Sequence, residues 1–161
     1  MTVKINDNFL EQKEINYFKQ TILSDDFPWF LTGVNSKNDP LHKQFVHIFY
    51  RQNNFNSTHK KLIIPILNKL KPTAIHRIKL NLLTKTQNVV EHPFHIDHKS
   101  KNTVSSILYL NTNDGYTGFK DHEKCFSTEN RLITFPSYKL HHGSTCTDRD
   151  FRIALNMVYI K

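Results

Sequence analysis

Cysteine is scarce in this chain. Cys125 and Cys146 are the only two among 161 residues. They are too few for a disulfide framework or a closed four-thiolate zinc site, so a reducing compartment is expected. No apolar run approaches the ~20 residues that a membrane-spanning helix needs. The first residues, Met-Thr-Val-Lys-Ile-Asn-Asp, lack the apolar stretch of a secretory signal. The expectation is a cytoplasmic protein with no membrane partner. Internal repeats and low-complexity linkers are also missing, so residues 1–161 read as a single domain. The net charge is +8, yet no run of five basic residues occurs. Charge spread this way marks a solvated surface first, and a nucleic-acid or anionic-substrate site second.

Two helices are expected before residue 72. Phe9, Leu10, Tyr17, Phe18 and Ile22 fall near helical spacing over 7–23, with Asp7 as a candidate cap. Leu62, Ile63, Ile66, Leu67 and Leu70 do the same over 58–70, with Pro65 near the middle as a kink or stop. Between them, 45–50 reads as a strand. After Pro72 the pattern turns to strands. Over 73–83, Ile78, Leu80 and Leu82 share one face, and Arg77, Lys79 and Asn81 the other. Such a polar face borders water or a polar cavity. Further strands are expected at 94–98, 104–111, 131–135 and 151–160, with a turn at Asn113-Asp114-Gly115. The fold class expected is mainly β with flanking helices: helical support over 1–71 and an antiparallel core over 72–161.

The second half carries an ordered set of metal-binding residue types. His95-Ile96-Asp97 places an imidazole and a carboxylate on one face of an extended segment. His141-His142 follow, then Arg152 ten or eleven residues on. Two imidazoles and one carboxylate form the facial triad that suits Fe(II) and leaves coordination positions open. Adjacent residues of a strand point to opposite faces, so His141 and His142 compete for one position, and spacing to Arg152 does not choose between them. A lone His-x-Asp is common by chance; here order and context give it weight. His92, His98 and Asn81 are candidates to support the ligands, although His92 and His98 read equally well as solvated loop residues. On the last strand Arg152, Ala154 and Asn156 share a face. An arginine pointing inward needs an anion, because an unpaired buried charge costs several kcal/mol. A carboxylate of the same protein would serve as well as a bound one.

Taken together, these residues resemble the Fe(II)/2-oxoglutarate-dependent dioxygenases, in particular the small prolyl-hydroxylase-like branch of bacteria and phages. The likeness covers about residues 73–160. It rests on His95-Ile96-Asp97, on Ile107 to Asn111 leading to Gly115-Tyr116-Thr117-Gly118-Phe119, on Asn130 to Ser137, and on His141 to Arg152. In this family a Phe-Pro-Ser turn precedes the distal iron histidine by four residues, which favours His141 over His142. Two positions depart from the pattern. A paired-glycine turn is Gly115-Tyr116 here, and a Ser or Thr two residues after the arginine is Ala154.

The resemblance implies a double-stranded β-helix, or jelly-roll, core. It implies iron held by His95, Asp97 and His141, with 2-oxoglutarate as co-substrate and O2 as oxidant. Arg152 would grip the far carboxylate, with Tyr109, Asn81 and Asn156 as further co-substrate contacts, and ascorbate would be a supporting reductant. The implied reaction hydroxylates a protein, peptide or amino acid and releases succinate and CO2. Two other functions stay open at this point: a nucleic-acid oxygenase using the same site, favoured by the positive charge, and a non-enzymatic jelly-roll that binds a metal or small ligand. The prime-substrate pocket is expected from loops 25–44, 84–94 and 113–127.

Overall fold

The computed structural model describes residues 3–34, 42–121 and 123–161. Eleven strands are present among them: β1 Lys4–Asn6, β2 Phe30–Gly33, β3 Lys43–Arg51, β4 Asn54–Phe55, β5 Ala74–Thr84, β6 Thr103–Tyr109, β7 Tyr116–Phe119, β8 Lys124–Phe126, β9 Leu132–Pro136, β10 His141–Gly143 and β11 Phe151–Ile160. The helices are α1 Gln12–Ile22 and α2 Ile64–Leu70. One sheet has eight strands, ordered β1-β9-β6-β11-β5-β3-β2 with β4 paired to β3, and a smaller sheet runs β10-β7-β8. Every pairing is antiparallel.

Period-two patterning sets the two faces of the large sheet. Ile78 and Leu80 of β5 and Ile153, Leu155 and Met157 of β11 join a core that includes Ile15, Phe18 and Ile22 of α1 and Ile66 of α2. Burying each such side chain is worth roughly 1.5–3 kcal/mol. The opposite face carries Arg77, Lys79, Asn81, Arg152, Ala154 and Asn156, which line a cavity of about 250 Å³. A second core, with Ile107, Tyr109, Phe119, Ile133, Phe135 and Ala154, joins the large sheet to the small one.

The N-terminal part departs from the expected helical support. It contributes β1, β2 and β3 to the large sheet as well as the two helices. Asp7 does not cap α1; its carboxylate binds Arg131 (2.5 Å from Nε), and α1 starts at Gln12, where the Glu11 amide donates to Glu14. The helix expected over 58–70 is divided. A 3-10 turn covers Lys60–Leu62, and α2 begins beyond it with Pro65 in its first turn. Proline is tolerated there because that amide has no helical partner. The strand expected at 94–98 is replaced by a single isolated bridge, His95 to His141. Of the loop expected at 25–44, residues 35–41 lie outside the described residues.

Candidate metal centre and anion site

Backbone pairing brings the first two candidate ligands together. His95 and His141 exchange both amide-to-carbonyl bonds, at 2.9 and 3.0 Å, and their ring centroids lie 4.5 Å apart. The Asp97 amide donates to the Ser137 carbonyl at 3.0 Å, which holds the carboxylate on the same side. As a result, ligand atoms of His95, Asp97 and His141 all lie within 4.8 Å of one another. His142 points away, with its ring against Phe94 and Tyr116.

The tautomers follow from the neighbours. His141 Nδ1 lies 2.9 Å from the Lys139 carbonyl and His95 Nδ1 3.3 Å from the Pro93 carbonyl. A carbonyl only accepts, so each Nδ1 carries the hydrogen and each Nε2 keeps its lone pair. Burial drives the His95 pKa down to about 4, with His141 adding to the effect against the opposing pull of Asp97. Burial also lowers that of His141. Both rings are therefore neutral at pH 7. His141 Nε2 then faces Asp97 Oδ2 at 3.5 Å, with no hydrogen between two lone-pair groups. A cation between them removes that repulsion.

Asp97 is held as a carboxylate. Burial alone would raise its pKa, but His141, Arg77, Ser105 and Asn156 together bring it to about 2. Arg77 Nη2 donates to Oδ1 at 2.7 Å, while Ser105 Oγ and Asn156 Nδ2 donate to Oδ2 at 2.7 and 3.2 Å. Two neutral imidazoles and one carboxylate suit a divalent ion such as Fe(II).

Arg152 lies in the wall of the same cavity and is 5% exposed. Its Nε donates to Ser127 Oγ at 2.7 Å, its Nη2 reaches Thr117 Oγ1 at 3.5 Å, and its guanidinium carbon sits 5.3 Å from the Tyr109 ring centre. Among the described residues no carboxylate comes within 4.0 Å of it. Gly115 makes room for its stem, since a β carbon there would fall 2.6 Å from Arg152 Cδ. A buried guanidinium held only by hydroxyls and a ring has its charge unpaired, which an anion would offset.

The other residues named from sequence divide. Asn81 lines the cavity, and its Oδ1 is buried without a partner. Asn156 also lines it, but its side chain is spent on Asp97 and Arg77, which places it at the metal ligands and not beside Arg152. Tyr109 is fully buried behind Arg152, with its hydroxyl on Thr117 and the Cys125 carbonyl. His92 lines the cavity. His98 is not in the cavity lining; it accepts from the Ser100 amide and stacks on His76. Arg77, Ser105, Ser127 and Thr117 were missed as site residues. Arg77 had left a trace on the polar face of 73–83, and Thr117 in the Gly115 to Phe119 motif, neither as a site residue.

No family model matches the sequence, and a search of curated proteins finds no match. Solved structures do match. A prolyl hydroxylase from Trichoplax adhaerens, in complex with a hypoxia inducible factor peptide fragment, superposes with a TM-score of 0.73 at 14% identity, over 98% of this chain and 83% of that one. A Pseudomonas putida prolyl-4-hydroxylase gives 0.61 at 13% identity, over 99% and 92%. The epimerase SnoN from nogalamycin biosynthesis, in complex with Fe3+ and alpha ketoglutarate, gives 0.70 at 10% identity, over 99% and 78%. The chain therefore has the fold of the 2-oxoglutarate- and iron-dependent oxygenases, the superfamily its motifs resemble.

Proposed function

We propose that the chain is an Fe(II)- and 2-oxoglutarate-dependent dioxygenase that hydroxylates a protein, peptide or amino-acid substrate, with residues 1–161 forming one jelly-roll catalytic domain. The observation that carries this reading is the pairing, in one cavity, of a His-Asp-His cluster with a buried arginine that lacks a carboxylate. A ligand that satisfies both ends has a metal-chelating group at one end and an anion at the other, and 2-oxoglutarate is such a molecule. Iron, when bound, supplies the activation of O2 that couples co-substrate decarboxylation to hydroxylation.

His95, Asp97 and His141 hold the ion, and their donors fix tautomer and carboxylate orientation. Arg152, braced by Ser127 and stacked on Tyr109, receives the far carboxylate. Asn81 Oδ1, unpartnered beside it, accepts from a bound molecule or from water. β5 and β11, paired in the large sheet, set Asn81 and Arg152 in the wall of the one cavity.

The test is conversion of 2-oxoglutarate to succinate by purified protein with Fe(II) and ascorbate, before any prime substrate is known. Succinate should form slowly, and Arg152→Ala should raise the KM for 2-oxoglutarate by about tenfold or more, because each charge-assisted hydrogen bond is worth ~1.5–3 kcal/mol. Tight metal binding with no succinate would mean a non-catalytic metal-binding jelly-roll instead.

A further inference from the structure

Lys79 is a cation that the reaction so far described does not use. It lines the same cavity, half-buried, and among the described residues its ammonium has no hydrogen bond and no carboxylate within 4.0 Å. Arg77, its neighbour on the same face, is committed to Asp97. Burial and the nearby Arg77 push the Lys79 ammonium down to about 8 against the pull of Asp97. It is therefore a charge that pays for its position unless an anion joins it.

Strand register locates Lys79 along the cavity. It pairs with Asn156, whose amide donates to Asp97, so it stands at the metal end. Arg152 lies four residues away along β11, roughly 13 Å of strand. A keto-diacid chelated at the metal and gripped by Arg152 extends away from Lys79. The charge balance points the same way. Among the described residues Arg77, Lys79 and Arg152 face the cavity against one carboxylate, that of Asp97. A divalent cation and a dicarboxylate cancel one another, so loading the site leaves the positive surplus in place.

We propose that Lys79 receives an anionic group of the prime substrate, which in the protein, peptide or amino-acid class proposed above is a carboxylate, presented by a free amino acid or by an acidic side chain of a peptide. This rests on the dioxygenase reading and adds a substrate class to it. The cavity volume of about 250 Å³ agrees, being below the ~300–1,000 Å³ of drug-sized sites. It has space for the co-substrate and one small acid or side chain.

The experiment reads the reactivity of Lys79 directly. Protein loaded with Mn(II) and 2-oxoglutarate is treated with an amine-acylating reagent, and labelling of Lys79 is quantified by peptide mass spectrometry. The probes are free L-amino acids with their carboxamides, and blocked tripeptides centred on Asp or Glu with their Asn and Gln counterparts. Mn(II) and 2-oxoglutarate alone should not protect Lys79 relative to the metal-free protein. At least one acid should protect it while the matching amide does not. Protection by free amino acids identifies an α-carboxylate, and protection by blocked acidic peptides identifies a side chain. Calorimetric affinity for the protecting acid should fall about tenfold or more in Lys79→Met and recover in Lys79→Arg, as expected for one charge-assisted bond. Thermal unfolding confirms that each variant is folded.

Protection by 2-oxoglutarate alone would place Lys79 in the co-substrate site and overturn the proposal. So would protection by no acid, or equal protection by the amides. Wild-type protein that makes succinate but fails these arms sinks only the acid-substrate inference. Wild-type protein that makes no succinate sinks the dioxygenase reading and this proposal with it.

Discussion

Gly118 and His142 occupy one another's space: a β carbon on Gly118 would fall 2.2 Å from His142 Nε2. The two are register partners between β7 and β10, and the imidazole has Phe94 on one side and Tyr116 on the other, so it cannot swing aside freely. Gly118→Ala should therefore destabilise the protein by about 1–3 kcal/mol, the usual cost of overpacking. In a chain of this size each kcal/mol lowers Tm by roughly 2–4 °C. Calorimetric unfolding checks this, and an unchanged Tm would show that the ring relaxes without cost.

The same packing separates the neighbouring histidines by role. His141→Ala should weaken Mn(II) or Fe(II) binding severely, because two protein ligands rarely hold such an ion in an open site. His142→Ala removes a packing residue and should leave metal affinity near that of the parent. Isothermal titration at pH 7 compares them, and the reverse ranking would move the ligand by one residue.

The strands that bear the site were legible because both of their faces carry strong patterns. β5 alternates apolar and polar residues from Arg77 to Leu82, and β11 sets Arg152 and Asn156 opposite Ile153, Leu155 and Met157; the faces with the polar residues line the cavity. Their register then brings Lys79 opposite Asn156 and Asn81 opposite Ala154. The His-x-Asp segment was assigned to a strand for its side-chain geometry. That geometry arises instead from an isolated bridge at His95 and the Asp97 amide on Ser137, contacts between residues distant in sequence. β1, β2 and β10 have three or four residues each, too few for alternation to register. Ser105 and Ser127 left no signal, since a serine on a strand or loop shows its partner only when the chain is folded. Asn156 and Tyr109 were placed beside the co-substrate by resemblance. Hydrogen bonding sends the first to Asp97 and the second behind Arg152.

Acid should weaken the metal-free protein. His95 has an ordinary pKa of 6.5 that falls to about 4 in the folded chain through burial and His141, opposed by Asp97; His141 is lowered as well. Between those values the unfolded chain binds more protons than the folded one, so stability rises with pH and is lost as pH falls from about 6.5 towards 4. Asp97, held at about 2, adds to the loss only below the ordinary carboxylate range. Urea midpoints at pH 7, 6, 5 and 4.5 should decline, and His95→Gln should flatten the slope. A midpoint that stays level or rises on acidification would contradict the burial of neutral imidazoles.

Arg77 should act on the metal through Asp97. Its Nη2 lies 2.7 Å from Oδ1, and its side chain also holds Asn156, the donor to Oδ2. Arg77→Met removes the cation that helps keep Asp97 ionised and frees the amide that orients it. Partners of this kind typically contribute ~10–100-fold in metal affinity, and Mn(II) titration at pH 7 should show a loss of that order. A change in packing alone would lower affinity equally at every pH. Loss of a neighbouring positive charge raises the carboxyl pKa, so protons compete with the metal at higher pH. The pH at which Mn(II) affinity begins to fall should therefore move upward in Arg77→Met and return most of the way in Arg77→Lys, which restores the charge without the fork. An affinity loss with an unshifted pH profile would assign Arg77 to packing and leave the ionisation of Asp97 to Ser105 and Asn156.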